Sequence, residues 1–164
     1  MTGATLGMDA RICAPAALQP SAEVRGIAAG LAVGSRARLL VTEDITVGTA
    51  GVDFVYTDVW LSLGEPEDQW DARIGQLLPY QVNAAVLKAT GNPAVKFLHC
   101  LPALHNRDTE IGQRIYAKRG LDALEVTEEV FESPASVVFD QAENRMHTIK
   151  ALMLATLGDR SLAG

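Results

Sequence analysis

Three short segments hold most of the side chains that could take part in chemistry: TDVWLSLGE (57–65), FLHCLPALH (97–105) and FDQAENRMH (139–147). Each of them begins where an apolar run gives way to polar or reactive residues. In an open sheet of parallel strands, ligands bind beyond the carboxyl ends of the strands. We therefore expect the three segments to meet at one edge of a sheet and to form a binding site there.

The first segment offers a carboxylate. Asp58 follows an apolar strand and could hold a cationic amine, while Ser62 and the backbone near Gly64 could contact a polar group of the same ligand. A structural interpretation is also open, in which Asp58 caps a turn and Trp60 fills the core.

The second segment offers a thiol. Cys100 could be a nucleophile, a metal ligand or a thiol that shapes a ligand site, or a small buried hydrophobe. A nucleophile needs a nearby base, yet His99 and Cys100 are consecutive strand residues and should point to opposite faces. With His105 they lack the paired spacing of a zinc site, so no metal is predicted. A cis Leu101–Pro102 bond would aim the Leu101 carbonyl unusually.

The third segment offers a guanidinium. Arg145, near a helix start, could grip an oxyanion because its donors form a rigid fork. Alternatively it pairs with Glu143 or Asp140, an interaction that contributes little at a surface. The glycine patterns GxGxxG and GxxxxGK[ST] do not occur in the sequence, so a nucleotide site is not supported.

The elements around these segments alternate apolar runs with amphipathic stretches, which is typical of an α/β domain. The predicted strands span residues 8–14, 38–42, 52–59, 95–100 and 136–139. The predicted helices span residues 22–33, 65–77, 79–90, 109–119 and 141–157, with a short helix or loop at 43–50 and a short helix beginning at 127. Strands joined by helices predict a mainly parallel sheet in a three-layer α/β/α, Rossmann-like arrangement.

The composition narrows the class of protein. A chain of 164 residues, 48% hydrophobic and 21% charged, predicts one globular domain. The formal net charge of −6 argues against nucleic-acid binding. No apolar stretch approaches the roughly 18 residues of a membrane span, and the start lacks the pattern of a secretory signal. We therefore expect a cytoplasmic protein, in which Cys13 and Cys100, far apart in the sequence, stay free thiols.

Taken together, the three segments resemble the ornithine carbamoyltransferases. TDVWLSLGE is similar to the family's Asp-x-Trp-x-Ser-Met-Gly loop, and FLHCLPALH is similar to its His-Cys-Leu-Pro segment. Residues 124–157 resemble its carboxyl-terminal run, most of all that of the catabolic branch, and PYQVN (79–83) also matches. Leu63 replaces the usual methionine, a swap that keeps bulk and should be tolerated.

The resemblance implies a reaction that needs no cofactor. The neutral δ-amine of L-ornithine attacks the carbamoyl carbon of carbamoyl phosphate, and L-citrulline and phosphate result. By family likeness, ornithine is bound by Asp58, Ser62, Leu63 and Cys100. The carbamoyl phosphate is faced by His99, Leu101 and Arg145.

The resemblance also implies catalytic roles for three of these residues. A thiolate at Cys100 would help to accept the amine proton, and Arg145 would stabilise the carbonyl oxygen as it becomes negative. His99 would face the carbamoyl phosphate beside them.

The resemblance further indicates what this sequence does not contain. Complete members have two α/β domains, and the Ser-x-Arg-Thr-Arg phosphate motif of the first has only a faint echo in GSRAR (34–38). The strand and loop that open the ornithine domain are not found either. We expect a single ornithine-binding domain over residues 1–164, truncated at its start and without the amino-terminal carbamoyl-phosphate domain.

Such a chain should be inactive alone and should associate with partner chains, because a missing strand exposes an unpaired sheet edge. The partners would be copies of itself, as in the trimers of the family, or a complementing amino-terminal half. Two alternatives stay open: a transferase for another amine such as putrescine, and a non-catalytic remnant that assembles with complete subunits.

Overall fold

Residues 1–61 and 70–157, which the computed structural model describes, contain four strands and eight α-helices. The strands are β1 (Asp9–Cys13), β2 (Arg38–Thr42), β3 (Phe54–Thr57) and β4 (Lys96–His99). The helices are α1 (Thr2–Thr5), α2 (Ala22–Ser35), α3 (Ile45–Thr49), α4 (Trp70–Leu77), α5 (Ala84–Ala89), α6 (Glu110–Arg119), α7 (Glu128–Phe131) and α8 (Val138–Leu157). Single 3₁₀ turns lie at Ala16–Leu18 and Leu78–Tyr80. None of the helices described is long and apolar enough to cross a lipid bilayer.

The strands form parallel ladders, which confirms the α/β class with parallel strands. β1 pairs with β2 from Asp9↔Arg38 to Cys13↔Thr42, and β3 pairs with β4 from Phe54↔Lys96 to Thr57↔His99. Within the two described ranges these are two separate sheets of two strands, and no ladder joins one to the other. Helix α3 packs against β1 and β2 and also against α5. Val86 and Leu87 of α5 in turn pack against the core cluster that includes Val55 of β3 and Phe97 of β4.

The predicted fifth strand at 136–139 is wrong. Ser136 forms one isolated parallel bridge with Phe97, whose N–H donates to Ala135 O over 2.9 Å. Val138, which is 1% exposed, already belongs to the first turn of α8. A short apolar run fits a strand and a buried helix start equally well, which explains the error.

The predicted helix at 79–90 is interrupted. Val82 is extended and pairs with Val126 in an isolated parallel bridge. The side chain of Asn83 then accepts a hydrogen bond from Val86 N over 3.1 Å and caps α5. Of the helix predicted at 65–77, only Trp70–Leu77 falls in the described part, where it forms α4.

The hydrophobic core lies around β3 and β4. One buried cluster surrounds Phe97, which is 0% exposed, and its other members are Val55, Val82, Val95, Val126, Val130, Phe131 and Val138. A second cluster consists of Trp60, Leu61, Ile74, Ile115 and Leu124. By contrast, β1, β2 and α2 contribute no fully buried residue. The strand ends of β3 and β4 are therefore the ones that the core holds in place.

Candidate functional site

Two of the expected site residues meet where β3 and β4 end together. Thr57 and His99 are the last pair of the parallel ladder, so the residues that follow leave the sheet side by side. The thiol of Cys100 donates to Asp58 Oδ1 over 2.8 Å. The structure thus brings together a carboxylate and a thiol that stand 42 residues apart in the sequence.

The structure of Asp58 agrees in part with both interpretations of the sequence, the ligand-binding carboxylate and the turn cap. Its side chain is exposed, and Oδ1 also accepts the N–H of Val59 over 2.7 Å, a local turn contact. Trp60 fills the second core cluster, as the structural interpretation expects. Within the described chain, Oδ2 of Asp58 receives no hydrogen bond, so this oxygen can accept one from a cationic ligand.

Cys100 is an exposed free thiol and not a small buried hydrophobe. Partial burial raises the pKa of this thiol above its usual range, and the hydrogen bond and negative charge of Asp58 raise it further. Contacts with Tyr56 and with the N–H of Val59 act in the opposite direction. At neutral pH the residue is therefore a thiol that donates to Asp58. A cation bound at Asp58 would remove one of the causes that keep it protonated.

Tyr56 is a neighbour that the sequence analysis did not select. It lies on β3, two residues before Asp58, and is 54% exposed. Partial burial raises the pKa of its phenol, Cys100 adds to this rise, and a contact with Gln141 opposes it. Side chains alternate between the two faces of a strand, so residues 56 and 58 share a face, and this period of two could have pointed to Tyr56 from the sequence.

The imidazole of His99 lies inside the core. Its side chain is 0% exposed, Nδ1 accepts the N–H of Leu101 over 2.9 Å, and Nε2 lies 3.5 Å from Glu125 Oε1. Because His99 is buried and Cys100 exposed, the two consecutive side chains do point to opposite sides. The ring presents no atom to the surface where Asp58 and Cys100 meet.

Leu101 has an unusual backbone conformation. Its φ is +53°, and the Leu101–Pro102 peptide bond is cis. A non-glycine residue in the left-handed region is uncommon, and it persists where surrounding contacts hold it. Here the N–H of Leu101 is held by His99, and the Leu101 side chain packs against the first core cluster.

Arg145 lies on α8, one helical turn beyond Gln141, and in the described part of the chain no hydrogen bond or ion pair joins it to the other expected site residues. Gln141, on the first turns of α8, accepts the main-chain N–H of His99 over 3.0 Å. Arg145 follows four residues later, on the same helical face and one turn further along. It is exposed, and among the described residues it forms no ion pair with Glu143 or Asp140.

Ser62 and Leu63 lie outside the described residues. Elsewhere in the described chain, no three His, Cys, Asp or Glu side chains cluster as a metal site would require. Glu125 and Gln141 are further residues near the site that the sequence did not lead us to expect. For Glu125 the available signal was a lone carboxylate between the apolar residues Leu124 and Val126.

Comparison with known proteins gives a family match over most of the chain. The family model described as "Aspartate/ornithine carbamoyltransferase, Asp/Orn binding domain" matches residues 1–156. The catabolic ornithine carbamoyltransferase of Rhizobium meliloti is 55% identical over 160 residues, which are 97% of this chain and 48% of that protein. The ornithine carbamoyltransferase of Haemophilus influenzae is 57% identical over 159 residues, 96% of this chain and 48% of that protein. The chain thus spans about half the length of the curated relatives it matches.

Solved structures agree with this match. Ornithine carbamoyltransferase from Pyrococcus furiosus aligns with a TM-score of 0.75 and 33% identity, over 92% of this chain and 42% of that one. Anabolic ornithine carbamoyltransferase from Campylobacter jejuni aligns with a TM-score of 0.76 and 30% identity, over 93% of this chain and 44% of that one.

Proposed function

We propose that this chain supplies the ornithine-binding half of an ornithine carbamoyltransferase. The premise is that the chain belongs to the aspartate/ornithine carbamoyltransferase family, whose Asp/Orn binding domain it matches. The complete enzyme would transfer the carbamoyl group of carbamoyl phosphate to the δ-amine of L-ornithine and release phosphate. The observation that carries the proposal is the 2.8 Å contact between Cys100 and Asp58 at the shared end of β3 and β4.

The proposed roles follow from the chemistry of each group. Asp58 accepts a hydrogen bond from an ammonium group of ornithine through its open carboxylate oxygen. By family likeness, Ser62 and Leu63 would also bind ornithine. Cys100 lies beside the attacking δ-amine. The neutral δ-amine loses one proton to the thiolate as its nitrogen bonds to the carbamoyl carbon, and binding of a cation at Asp58 favours that thiolate.

The carbamoyl group is handled by the residues that follow. The carbonyl of Leu101 accepts the N–H of the carbamoyl amide. Arg145 stabilises the carbonyl oxygen as the C–N bond forms and charge develops there, before the bond to phosphate breaks. His99 contributes through the backbone of this segment.

The chain is incomplete as a catalyst in this proposal. Holding both substrates in the reactive orientation contributes up to about 7–11 kcal/mol of barrier lowering. This chain, however, covers only 48% of the length of each of the two relatives described above. Each of the two two-stranded sheets leaves strand edges that can pair further, which suits a complementing chain. The expected occupant is the amino-terminal half of the enzyme.

The surface of α8 supports the same partner. One side of this helix carries a groove of about 620 Å³ lined almost entirely by apolar side chains: Met146, Ile149, Lys150, Met153, Leu154 and Leu157. Leu157 is 79% exposed and Leu154 is 65% exposed. Contiguous apolar surface of this kind marks an interface. The same helix carries Arg145, so a domain seated there would adjoin the site.

The test is citrulline formation from carbamoyl phosphate and ornithine. We expect none above background with the purified chain. We expect turnover after mixing it with the separately expressed amino-terminal half of the Rhizobium meliloti relative. In the mixture, Arg145→Ala should lower kcat by about 10²–10³-fold, whereas Arg25→Ala on exposed α2 should not.

Three outcomes would contradict parts of the proposal. Turnover by the chain alone would refute its incompleteness. A stable complex without turnover would favour a non-catalytic partner. Calorimetric binding of putrescine in preference to ornithine would reassign the acceptor amine.

A further inference from the structure

A carboxylate is buried beside the site and the proposed mechanism does not use it. Glu125 is 0% exposed, and burying a carboxylate is costly unless it is paired or hydrogen-bonded. Its Oε1 accepts the N–H of Leu104 over 2.5 Å and lies 3.5 Å from His99 Nε2. Its Oε2 has no hydrogen-bond partner among the described residues. Through its Oε1 atom, the carboxylate therefore faces the turn that follows β4.

The hydrogen bonds fix the tautomer of His99. Nδ1 accepts the N–H of Leu101 over 2.9 Å and must therefore carry a lone pair. The ring proton is then on Nε2, which is the nitrogen that faces Glu125. Protonation of both nitrogens would break the bond to Leu101, so the imidazole is neutral in this arrangement.

The two side chains together hold both ends of one turn. His99 binds the N–H of Leu101 at its start, and Glu125 binds the N–H of Leu104 at its end. Leu101 packs against the first core cluster and Leu104 against the second. The pair thereby holds the left-handed φ of Leu101, which a leucine does not adopt readily by itself.

We propose that Glu125 and His99 are positioning residues that fix the 101–104 turn, and with it the direction of the Leu101 carbonyl and the place of the Cys100 thiol. His99 in this role neither touches the substrate nor exchanges a proton with it. The consequence for carbamoyl transfer rests on the proposed function, but the positioning itself is a property of the unliganded chain.

The first measurement is made on the wild-type chain. Nitrogen-15 NMR of the histidine rings at neutral pH, with His99 assigned by comparison with His99→Gln, should show a neutral ring protonated at Nε2. A charged ring, or one protonated at Nδ1, would overturn the proposal. This readout needs no substrate and no variant of Glu125.

The second measurement is the alkylation rate of Cys100 by iodoacetamide, with Cys13 of the same chain as internal reference. Glu125→Ala should free the turn and weaken the contact of Cys100 with Asp58. Alkylation should then be roughly fivefold faster, the factor for loss of one ordinary hydrogen bond. Glu125→Gln keeps an oxygen in the Oε1 position and should stay close to the wild-type rate.

Two controls separate positioning from general loosening. Glu128→Gln alters an exposed carboxylate that lies 3.8 Å from His105 and should change neither thiol. An equal acceleration of Cys13 and Cys100 in Glu125→Ala would overturn the proposal, as would an unchanged Cys100 rate in the folded variant. If Glu125→Ala does not fold, the wild-type ring tautomer and the Glu125→Gln rate still decide. Failure of ornithine to bind would refute the proposed function and leave this result standing.

Discussion

Replacing Asp58 by asparagine should weaken ornithine binding by the isolated chain. The change removes one negative charge and keeps the size of the side chain. Asp58 already uses Oδ1 for Cys100 and Val59, and the other carboxylate oxygen is the one that would face the ligand. The variant therefore tests whether that open oxygen holds an ammonium group.

The size of the effect follows from the exposure of the site. Two unit charges about 4 Å apart attract by about 1 kcal/mol in water and by about 4 kcal/mol at an effective dielectric constant near 20. Asp58 is exposed, so the lower part of this range applies, and the amide keeps part of the hydrogen bonding. We expect a loss of about 1–2 kcal/mol, which is a Kd weaker by about 5–30-fold.

Isothermal titration calorimetry with L-ornithine measures this loss, and Asp53→Asn is its matched control. Asp53 immediately precedes β3, at the end opposite Asp58, and the substitution changes the net charge equally. Asp53→Asn should bind ornithine as the wild type does. Equal weakening by both variants would show that only net charge matters and would refute a local role for Asp58.

Two further expectations test the core and the thiol. Phe97→Ala should lower the free energy of unfolding, measured by urea titration, by about 3–5 kcal/mol. Phe54 lies on the same sheet but is 58% exposed, so Phe54→Ala should lower it by less than about 1 kcal/mol. Similar losses in the two variants would contradict the assigned core. The alkylation rate of Cys100 should rise with pH through a midpoint above that of free cysteine, because the pKa of the Cys100 thiol is raised. Asp58→Asn should move this midpoint to lower pH. A midpoint below that of free cysteine would contradict the assigned environment.

The meeting of Asp58 and Cys100 was predictable because strand ends in a parallel sheet have fixed relations. The apolar runs before Asp58 and Cys100 predicted two strands, and the period of two correctly separated the directions of His99 and Cys100. The contact between Asp58 and Cys100 follows once those strands are neighbours in register. The sequence predicted both strands, and the structure supplies the register.

Other features depend on contacts that a local pattern does not contain. Ser136 and Val138 fit a strand by residue type, yet only one bridge to β4 forms before α8 begins. Val82 is extended inside a helical pattern because it pairs with Val126, which is distant in sequence. The position of Glu125 between His99 and the following turn likewise requires the packed structure, because no spacing rule links residues 99 and 125.

The most direct test of ornithine binding at the joint end of β3 and β4 is protection of Cys100 from iodoacetamide, measured by peptide mass spectrometry. Both cysteines are free thiols, so Cys13 reports any general effect of the amino acid in the same sample. Saturating ornithine should slow the alkylation of Cys100 and leave the rate at Cys13 unchanged. Unchanged rates at both thiols, or equal slowing of both, would contradict a site formed by Asp58 and Cys100.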